Sequence, residues 1–503
     1  MDCILAYDLG TGGVKASLFS EDAKCRASTV AEYQTYHRQG GIREQTPEDW
    51  WNSIRKATQE LLDQLDEKGI SSKIVAIGIS GHSLGVVAVD DHGDLLSKYT
   101  PIWSDERADQ MAKQYFAATN ESEWYYTTGN GFPPHLYAAF KMMWYKQNAS
   151  ELYAKTNKFL GTKDYINFRL TGMMATDHSY ASGSGVYDLV SRRYREDYLA
   201  NMGISPKKLC DIAESHAVVG YVTQTAAREL GVSAGIPVVL GGVDNACMTL
   251  GAGCFEDGDA YASLGTSAWI AACATSPVLD FEKRPYVWAH CVEGMCVPNI
   301  GIFASGSALD WVKTNVLGNT CSSYDEFFEL VNESPVGANH LFFNPCLAGG
   351  NYMDESTHIR GCFTGLDLCH TQADIARATV EGIAYHLKMA WDVLKPHLST
   401  QELLLVGGGA KNPLARQIYA DIFQMPVVRT DVVRDAASLG AAAVAAYGVG
   451  LWKDYYPIRR VHGSPEVTEP QEEGARQYAK RFEIYRYISS CQSHIGDLLK
   501  EIE

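Results

Sequence analysis

The sequence has no surplus of positive charge. Forty-three lysines and arginines stand against 60 acids, for a formal net charge of −17. Nucleic acid and anionic membrane both demand a basic face, so neither is an expected partner. No apolar run is long enough to span a bilayer, and the longest, at residues 438–452, is broken by glycines. The start MDCILAYDLG lacks a basic region and enters a strand at once, so it does not read as a signal peptide. The expected compartment is the cytoplasm. The 13 cysteines form no C-x-x-C pair, and their odd number argues against a disulfide framework or a zinc ribbon. The chain contains no G-x-x-x-x-G-K-[ST] loop and no H-R-D with D-F-G, which excludes P-loop and protein-kinase folds. It also lacks a G-x-G-x-x-G behind a strand, which counts against a dinucleotide dehydrogenase.

What remains is a globular chain of 503 residues, 46% hydrophobic and 20% charged, too long for one core. Two domains are expected, 1–241 and 242–503, with the border where the strand at 236–240 runs into Gly241-Gly242. The turn DLGTGGVK, beginning at Asp8, is echoed by SLGTSA, beginning at Ser263. Each copy lies between two apolar strand-like runs, which suggests two related lobes offering backbone N–H groups to one anion. Asp8 precedes the first turn where Ser263 precedes the second. A carboxylate beside a phosphate needs a cation between them, so Asp8 reads as a Mg²⁺ holder. A plain hairpin turn that needs glycine is the alternative.

The rest of the chain alternates strand and helix. A helix is expected from Thr46-Pro47 to a stop at Gly69, then a buried parallel strand at 73–80. Residues 86–89 and 99–103 read as a hairpin around the polar turn at 90–94. A helix at 371–394 precedes a strand at 402–406, which runs into Gly407-Gly408-Gly409 and a helix from Pro413. That strand, glycine turn and helix form a place where α/β folds hold ligands, or else a site of tight packing. After Gly241-Gly242 comes Asp244, read either as a general base for a hydroxyl or as an Asx-type N-cap of a helix at 246–250. Trp103, Asp105 and Arg107 read as a polar grip with an aromatic wall for a polyhydroxylated molecule. The alternative is a helix start capped by Ser104 or Asp105.

These residues resemble the FGGY family of carbohydrate kinases, and within it the xylulokinase-like branch. The resemblance runs through DLGTGG, REQTPEDWW, SGHSLG, PIWSDER, TKDYINFRLTG, GGVDNA, SLGTSA and GGGAKN in order. It implies an α/β, two-lobed actin/hexokinase/Hsp70-like (ribonuclease H-like) fold, each lobe a mixed five-stranded sheet flanked by helices. It also implies ATP and Mg²⁺ between the lobes, with Asp8 on the metal and Thr11, Gly12, Gly13 and Lys15 at the phosphates. Gly265, Thr266 and Ser267 form the second phosphate turn, while Gly408, Gly409, Ala410 and Asn412 lie near adenosine. Asp244 is the implied catalytic base, with Asn245 beside it on the substrate side. A small sugar or polyol is the implied partner, and a homodimer is left open.

Two stretches depart from the family. Where G-Q-M-H-G is typical the chain has Gly81-His82-Ser83-Leu84-Gly85, and where S-G-E-R-x-P is typical it has Ala348-Gly349-Gly350-Asn351-Tyr352-Met353. His82, Ser83 and Leu84 are thus the expected acceptor-tuning residues, and His82 reads equally as a structural histidine. The expected acceptor is a ketopentose such as xylulose. Alternatives are a tetritol or tetrulose (erythritol, erythrulose) and a sugar acid (gluconate). A reading of another class is an actin/Hsp70-like ATP-driven switch without sugar chemistry.

Overall fold

A computed structural model describes residues 1–318, 321–430 and 435–502. The first half builds one sheet from β1 (Asp2–Leu9), β2 (Gly13–Ser20), β3 (Cys25–Glu32), β4 (Lys73–Gly81), β5 (Val218–Tyr221), β6 (Pro237–Val239) and β7 (Gly242–Val243). The second half builds another from β8 (Ala260–Leu264), β9 (Ala268–Ala272), β10 (Tyr286–Ala289), β11 (Cys296–Ile302), β12 (Leu403–Val406), β13 (Val427–Arg429) and β14 (Glu466–Thr468). The helices that matter for the site are α1 (Pro47–Glu67), α2 (Ala138–Asn148), α3 (Thr162–Thr171), α4 (Asp244–Gly251), α5 (Gln372–Leu394), α6 (Pro413–Phe423), α7 (Ala436–Gly448) and α8 (Glu472–Glu501).

The duplication inferred from the two LGT turns is written into the strand order. The first sheet contains β3-β2-β1-β4-β6 and the second β11-β9-β8-β12-β13. In both, the first three strands are antiparallel and the last two run parallel to the central one. Each sheet has seven strands, not five. An antiparallel edge is added to both by β5 and β14, β10 extends the second sheet, and β7 pairs with β4.

Local sequence explains the main helices. Thr46 is extended ahead of Pro47 at the first helical position, acids fill the first turn, and Gly69 at φ +62° follows the end of α1. Trp50, Ile54, Leu61 and Leu65 recur on one face and are buried, with Ala27 and Ala31 of β3 in the same cluster. The glycine-broken apolar run at 438–452 is not a membrane segment but mostly α7, lying between the first sheet and α4. Its small residues permit close backbone approach: a Cβ on Gly78 would fall 2.2 Å from the Ala441 carbonyl oxygen. No helix among the described residues is long and apolar enough to cross a membrane.

Two features bear on the expected domain border. β7 still pairs with β4 of the first sheet, and α7, from the second half, packs on β1 and β4. The expected hairpin at 86–103 is a correction. Val87–Val89 pairs with Lys158–Leu160, and Thr100–Pro101 pairs with Ile42–Gln45. The tight turn is real, with the Asp90 N–H donating to the Asp94 carbonyl at 3.1 Å, but its arms pair only as far as Val89 with Leu95 and the Leu96 N–H on the Ala88 carbonyl before they part.

Candidate functional site

The first LGT turn closes with the Gly10 N–H donating to the Gly13 carbonyl at 3.0 Å, and the Tyr33 hydroxyl holds the Gly10 carbonyl. Gly13 is glycine because a Cβ there would lie 2.7 Å from the Ala31 oxygen of β3. Gly12 has no such neighbour, so its exposed backbone faces open space. Thr11 is also exposed. Its carbonyl accepts from Gln45 Nε2 at 2.6 Å and its hydroxyl from Trp103 Nε1 at 3.0 Å. The second turn also closes on its own glycine but one residue sooner, with the Gly265 N–H donating to the Ser267 carbonyl at 3.0 Å. The Ser305 and Ser307 N–H groups grip the Thr266 carbonyl from behind, each at 3.0 Å.

The second turn and the GGGAKN turn line one cavity of about 590 Å³, with Gly265, Thr266, Gly408, Gly409 and Asn412 among its walls. Gly407, at φ +97°, and Gly409 are packing glycines, since a Cβ on them would lie 2.6 and 2.9 Å from Leu264 atoms. Gly408 is not, for a Cβ there meets nothing within 4 Å. The side-chain oxygen of Asn412 caps α6 by accepting from the Leu414 and Ala415 N–H groups, and Ala410 is buried beneath the turn. Lys411, Asp310 and Tyr324 also line the cavity. Asp310 and Tyr324 come from a region without a motif, so the sequence held no signal for them.

Asp8 is the penultimate residue of β1, beside Lys15 on β2 and Ser80 on β4. Burial pushes its carboxyl up, opposed by the Ser80 hydroxyl and the Lys15 ammonium. Lys15 itself is ion-paired with Asp435, at the start of α7. Asp244 is the first residue of α4, which therefore starts two residues earlier than expected. Val243 is the N-cap, and the Asp244 carboxylate accepts from the Asn245 N–H at 2.8 Å and from its own backbone, not from the N–H groups of the next turn, so the Asx-cap reading fails. Burial, together with the charge of Asp8, raises the Asp244 carboxyl to about 7. Asn245 is half-buried, and its carbonyl accepts from the Thr249 hydroxyl at 2.8 Å.

Beneath Asp244 lies a buried charge cluster that the TKDYINFRLTG motif did not disclose. Lys163 Nζ meets Asp164 at 2.5 Å and Asp177 at 2.9 Å. The Ser179 hydroxyl donates to Asp177 and accepts from the Val243 N–H at 2.9 Å, fixing the residue before Asp244. Desolvation opposes the Lys163 charge, but the two carboxylates outweigh it and hold its pKa above the ordinary value.

On the other side of the first turn lie His82, Ser83 and Leu84, all buried. Burial pulls the His82 imidazole down to about 4, and neither ring nitrogen meets a hydrogen-bond partner among the described residues. The ring packs edge-on against Trp50 at 5.6 Å. Leu84 has φ +61°, a strained conformation for leucine, and its side chain packs into the core near Gly183. Lys141 of α2 donates to the Leu84 carbonyl at 3.0 Å and the Ile102 carbonyl at 2.7 Å, tying this loop to the one bearing Trp103. No local pattern marked Lys141.

Trp103 is 38% exposed, with its ring beside Thr11. Asp105 and Arg107 do not open to the cleft with it. Arg107 Nε lies 2.7 Å from Asp105, its Nη2 lies 2.7 Å from Glu44, and Asp105 also accepts from the Arg43 N–H at 2.7 Å. The helix after them starts at Asp109 with Ala108 at the N-cap, so neither Ser104 nor Asp105 caps it.

Residues 3–251 match the N-terminal domain of the FGGY family of carbohydrate kinases, and residues 260–449 match its C-terminal domain. A xylulose kinase of Staphylococcus epidermidis is 31% identical over 493 residues, covering 97% of this chain and 96% of its own. A gluconokinase of Bacillus licheniformis is 26% identical over 500 residues, covering 97% and 95%. The crystal structure of xylulose kinase from Rhodospirillum rubrum superposes with a TM-score of 0.88 at 25% identity, over 98% of this chain and 100% of that one. Two domain matches covering most of the chain, and a relative above 30% identity along nearly its whole length, agree with the duplicated sheets and paired turns: the chain belongs to the FGGY family of carbohydrate kinases and is a sugar kinase.

Proposed function

We propose that the enzyme transfers the γ-phosphate of ATP, taken with Mg²⁺, to a hydroxyl of an open-chain ketopentose, with xylulose as the preferred acceptor. The observation that carries this reading is the pairing of Asp8 and Asp244. Two buried acids, the first raising the proton affinity of the second, beside a turn of exposed backbone N–H groups, suit a cation and a phosphate chain. The oxygen-only donor set at Asp8 fits Mg²⁺, which would neutralise charge on the phosphates when bound. The N–H groups of Thr11, Gly12 and Gly13 on one side, and of Gly265, Thr266 and Ser267 on the other, take phosphate oxygens. The open face of Gly408, with Gly409, Ala410 and Asn412 around it, receives adenosine in the 590 Å³ cavity.

Asp244 orients the acceptor hydroxyl and accepts its proton late, as the bond to phosphorus forms. Asn245, the unbonded ring nitrogens of His82, the Ser83 hydroxyl and the indole of Trp103 form the acceptor's surroundings. Leu84 shapes that wall from behind. Asp105 and Arg107 support it from the core, and Lys15 supports the first turn through Asp435.

The departures at 82–84 and 348–353 favour a second acceptor reading, a sugar acid or a tetritol. ATP turnover measured alone and with a panel of pentuloses, tetritols and sugar acids decides among them. The expected result is slow hydrolysis without acceptor and the largest kcat/KM with xylulose. A higher value for gluconate or erythritol selects the second reading. Equal turnover with and without every acceptor refutes both and leaves the ATP-driven switch.

A further inference from the structure

Apart from the Asp8 and Asp244 pair, three buried side chains converge on one point. Cys346 lies two residues beyond the strand Phe342–Asn344, Asp354 directly follows the departing stretch 348–353, and His386 sits on α5. Cys346 Sγ lies 3.4 Å from His386 Nε2, Asp354 Oδ1 lies 3.3 Å from the same nitrogen, and sulfur and oxygen are 4.0 Å apart. A triangle with these edges contains a point about 2.1 Å from each corner, close to zinc's ~2.3 Å to thiolate and ~2.0–2.2 Å to imidazole or carboxylate.

The surroundings orient the donors inward. The other ring nitrogen of His386 lies 3.0 Å from the Tyr485 hydroxyl, an outer partner that fixes the ring and aims Nε2 inward. Asp354 Oδ2 accepts from the Asn351 N–H at 3.0 Å, which leaves Oδ1 directed at the cluster. Thiolate with imidazole is a donor pair that suits zinc and not Mg²⁺, so this point is chemically distinct from the all-oxygen cleft.

We propose that Cys346, Asp354 and His386 form a binding site for one Zn²⁺ ion, supplying three corners of a tetrahedron. Binding requires the Cys346 thiolate and an unprotonated Nε2, so the thiol proton and the proton that Nε2 shares with Asp354 both leave to solvent as the sulfur–zinc and nitrogen–zinc bonds form. The ion ties the 345–354 loop to α5, in a stretch that lacks the family's charged pair and proline. Asn351 Nδ2 also donates to the Gly301 carbonyl at 2.5 Å, a few residues before the serines that grip the second LGT turn.

The test uses the full chain, stripped with chelator and titrated with Zn²⁺ against a coloured zinc indicator, with excess Mg²⁺ to cover the cleft carboxylates. The expected stoichiometry is one ion per chain, unchanged in Cys369→Ser at an exposed thiol and lost in Cys346→Ser. Tyr485→Phe should weaken binding by roughly 10- to 100-fold. Co²⁺ added to the unmutated protein should give a thiolate charge-transfer band, a readout that no variant's misfolding can mimic. A stoichiometry of zero, one that survives Cys346→Ser, or a Co²⁺ adduct without that band overturns the site.

Discussion

Changing Asp244 to Asn should lower turnover and raise stability together, with the second effect depending on pH. The carboxyl is raised from 3.8 to about 7 by burial and by Asp8. Below its ordinary value both folded and unfolded chains carry the proton, and the group costs the fold nothing. As pH rises, the unfolded chain releases the proton first, and stability is lost until the folded group also ionises near 7. A shift of this size amounts to roughly 4 kcal/mol. Asp244 is only half-buried by its accessible surface, so water in the open cleft screens part of that, and about 1–3 kcal/mol is the expected loss. Asparagine keeps the shape and escapes the ionisation. In metal-free buffer, the variant's melting temperature should therefore match wild type near about pH 4 and exceed it by a growing margin toward about pH 8. With Mg²⁺ present and near about pH 8, where the wild-type carboxylate is ionised, kcat should fall about 10²–10⁴-fold, with ATP binding preserved. A margin that stays flat with pH refutes the burial argument, and near-wild-type turnover refutes the base assignment.

Asp8→Asn should fold and bind nucleotide, yet need far more Mg²⁺ for half-maximal rate; an unchanged Mg²⁺ dependence removes Asp8 from the metal. Restoring Gln-Met-His at positions 82–84 should reorder acceptor preference while KM for ATP stays fixed, and the reverse outcome puts this loop on the wrong side of the cleft. Ser179→Ala strands the buried Val243 N–H and should cost about 1–3 kcal/mol in denaturant melts. Its kcat should drop while KM for ATP holds, and no change in either dismisses the supporting role. Gly408→Ala should fold normally and raise KM for ATP, whereas Gly407→Ala, at φ +97° with the Leu264 oxygen 2.6 Å away, should destabilise the chain. Equal melting temperatures for the two would refute the division of packing and ligand glycines.

The parts of this molecule legible in the sequence are those whose cause is local. Both LGT turns, the start of α1 at Thr46-Pro47 and the strand–Gly–Gly–acid at 239–244 carry their reason within a few residues. The extra edge strands do not: Val218–Tyr221 and Glu466–Thr468 are short and mostly exposed, so they show no period, and their pairing comes from the sheet they join. Residues 86–103 misled for the same reason. A polar turn between apolar runs reads as a hairpin, but Val87–Val89 finds its partner about 70 residues on, at Lys158–Leu160, which no spacing encodes.

Charge is where sequence and structure differ most usefully. Asp105 and Asp244 both look like acids poised at a cleft. In the fold Asp105 is satisfied by Arg107 and the Arg43 N–H, with Glu44 completing the buried cluster. Asp244 receives local backbone N–H groups, with no cationic side chain among the causes of its shift, and feels a second carboxylate, Asp8. An acid whose counter-charges are built in is scaffold, because taking a proton would break its own partners apart. An acid left short of them can gain both a cation and a hydroxyl proton. Asp244 is therefore the acid we propose for the chemistry, and the distinction comes from partners brought in by remote segments, not from the residue type or its motif.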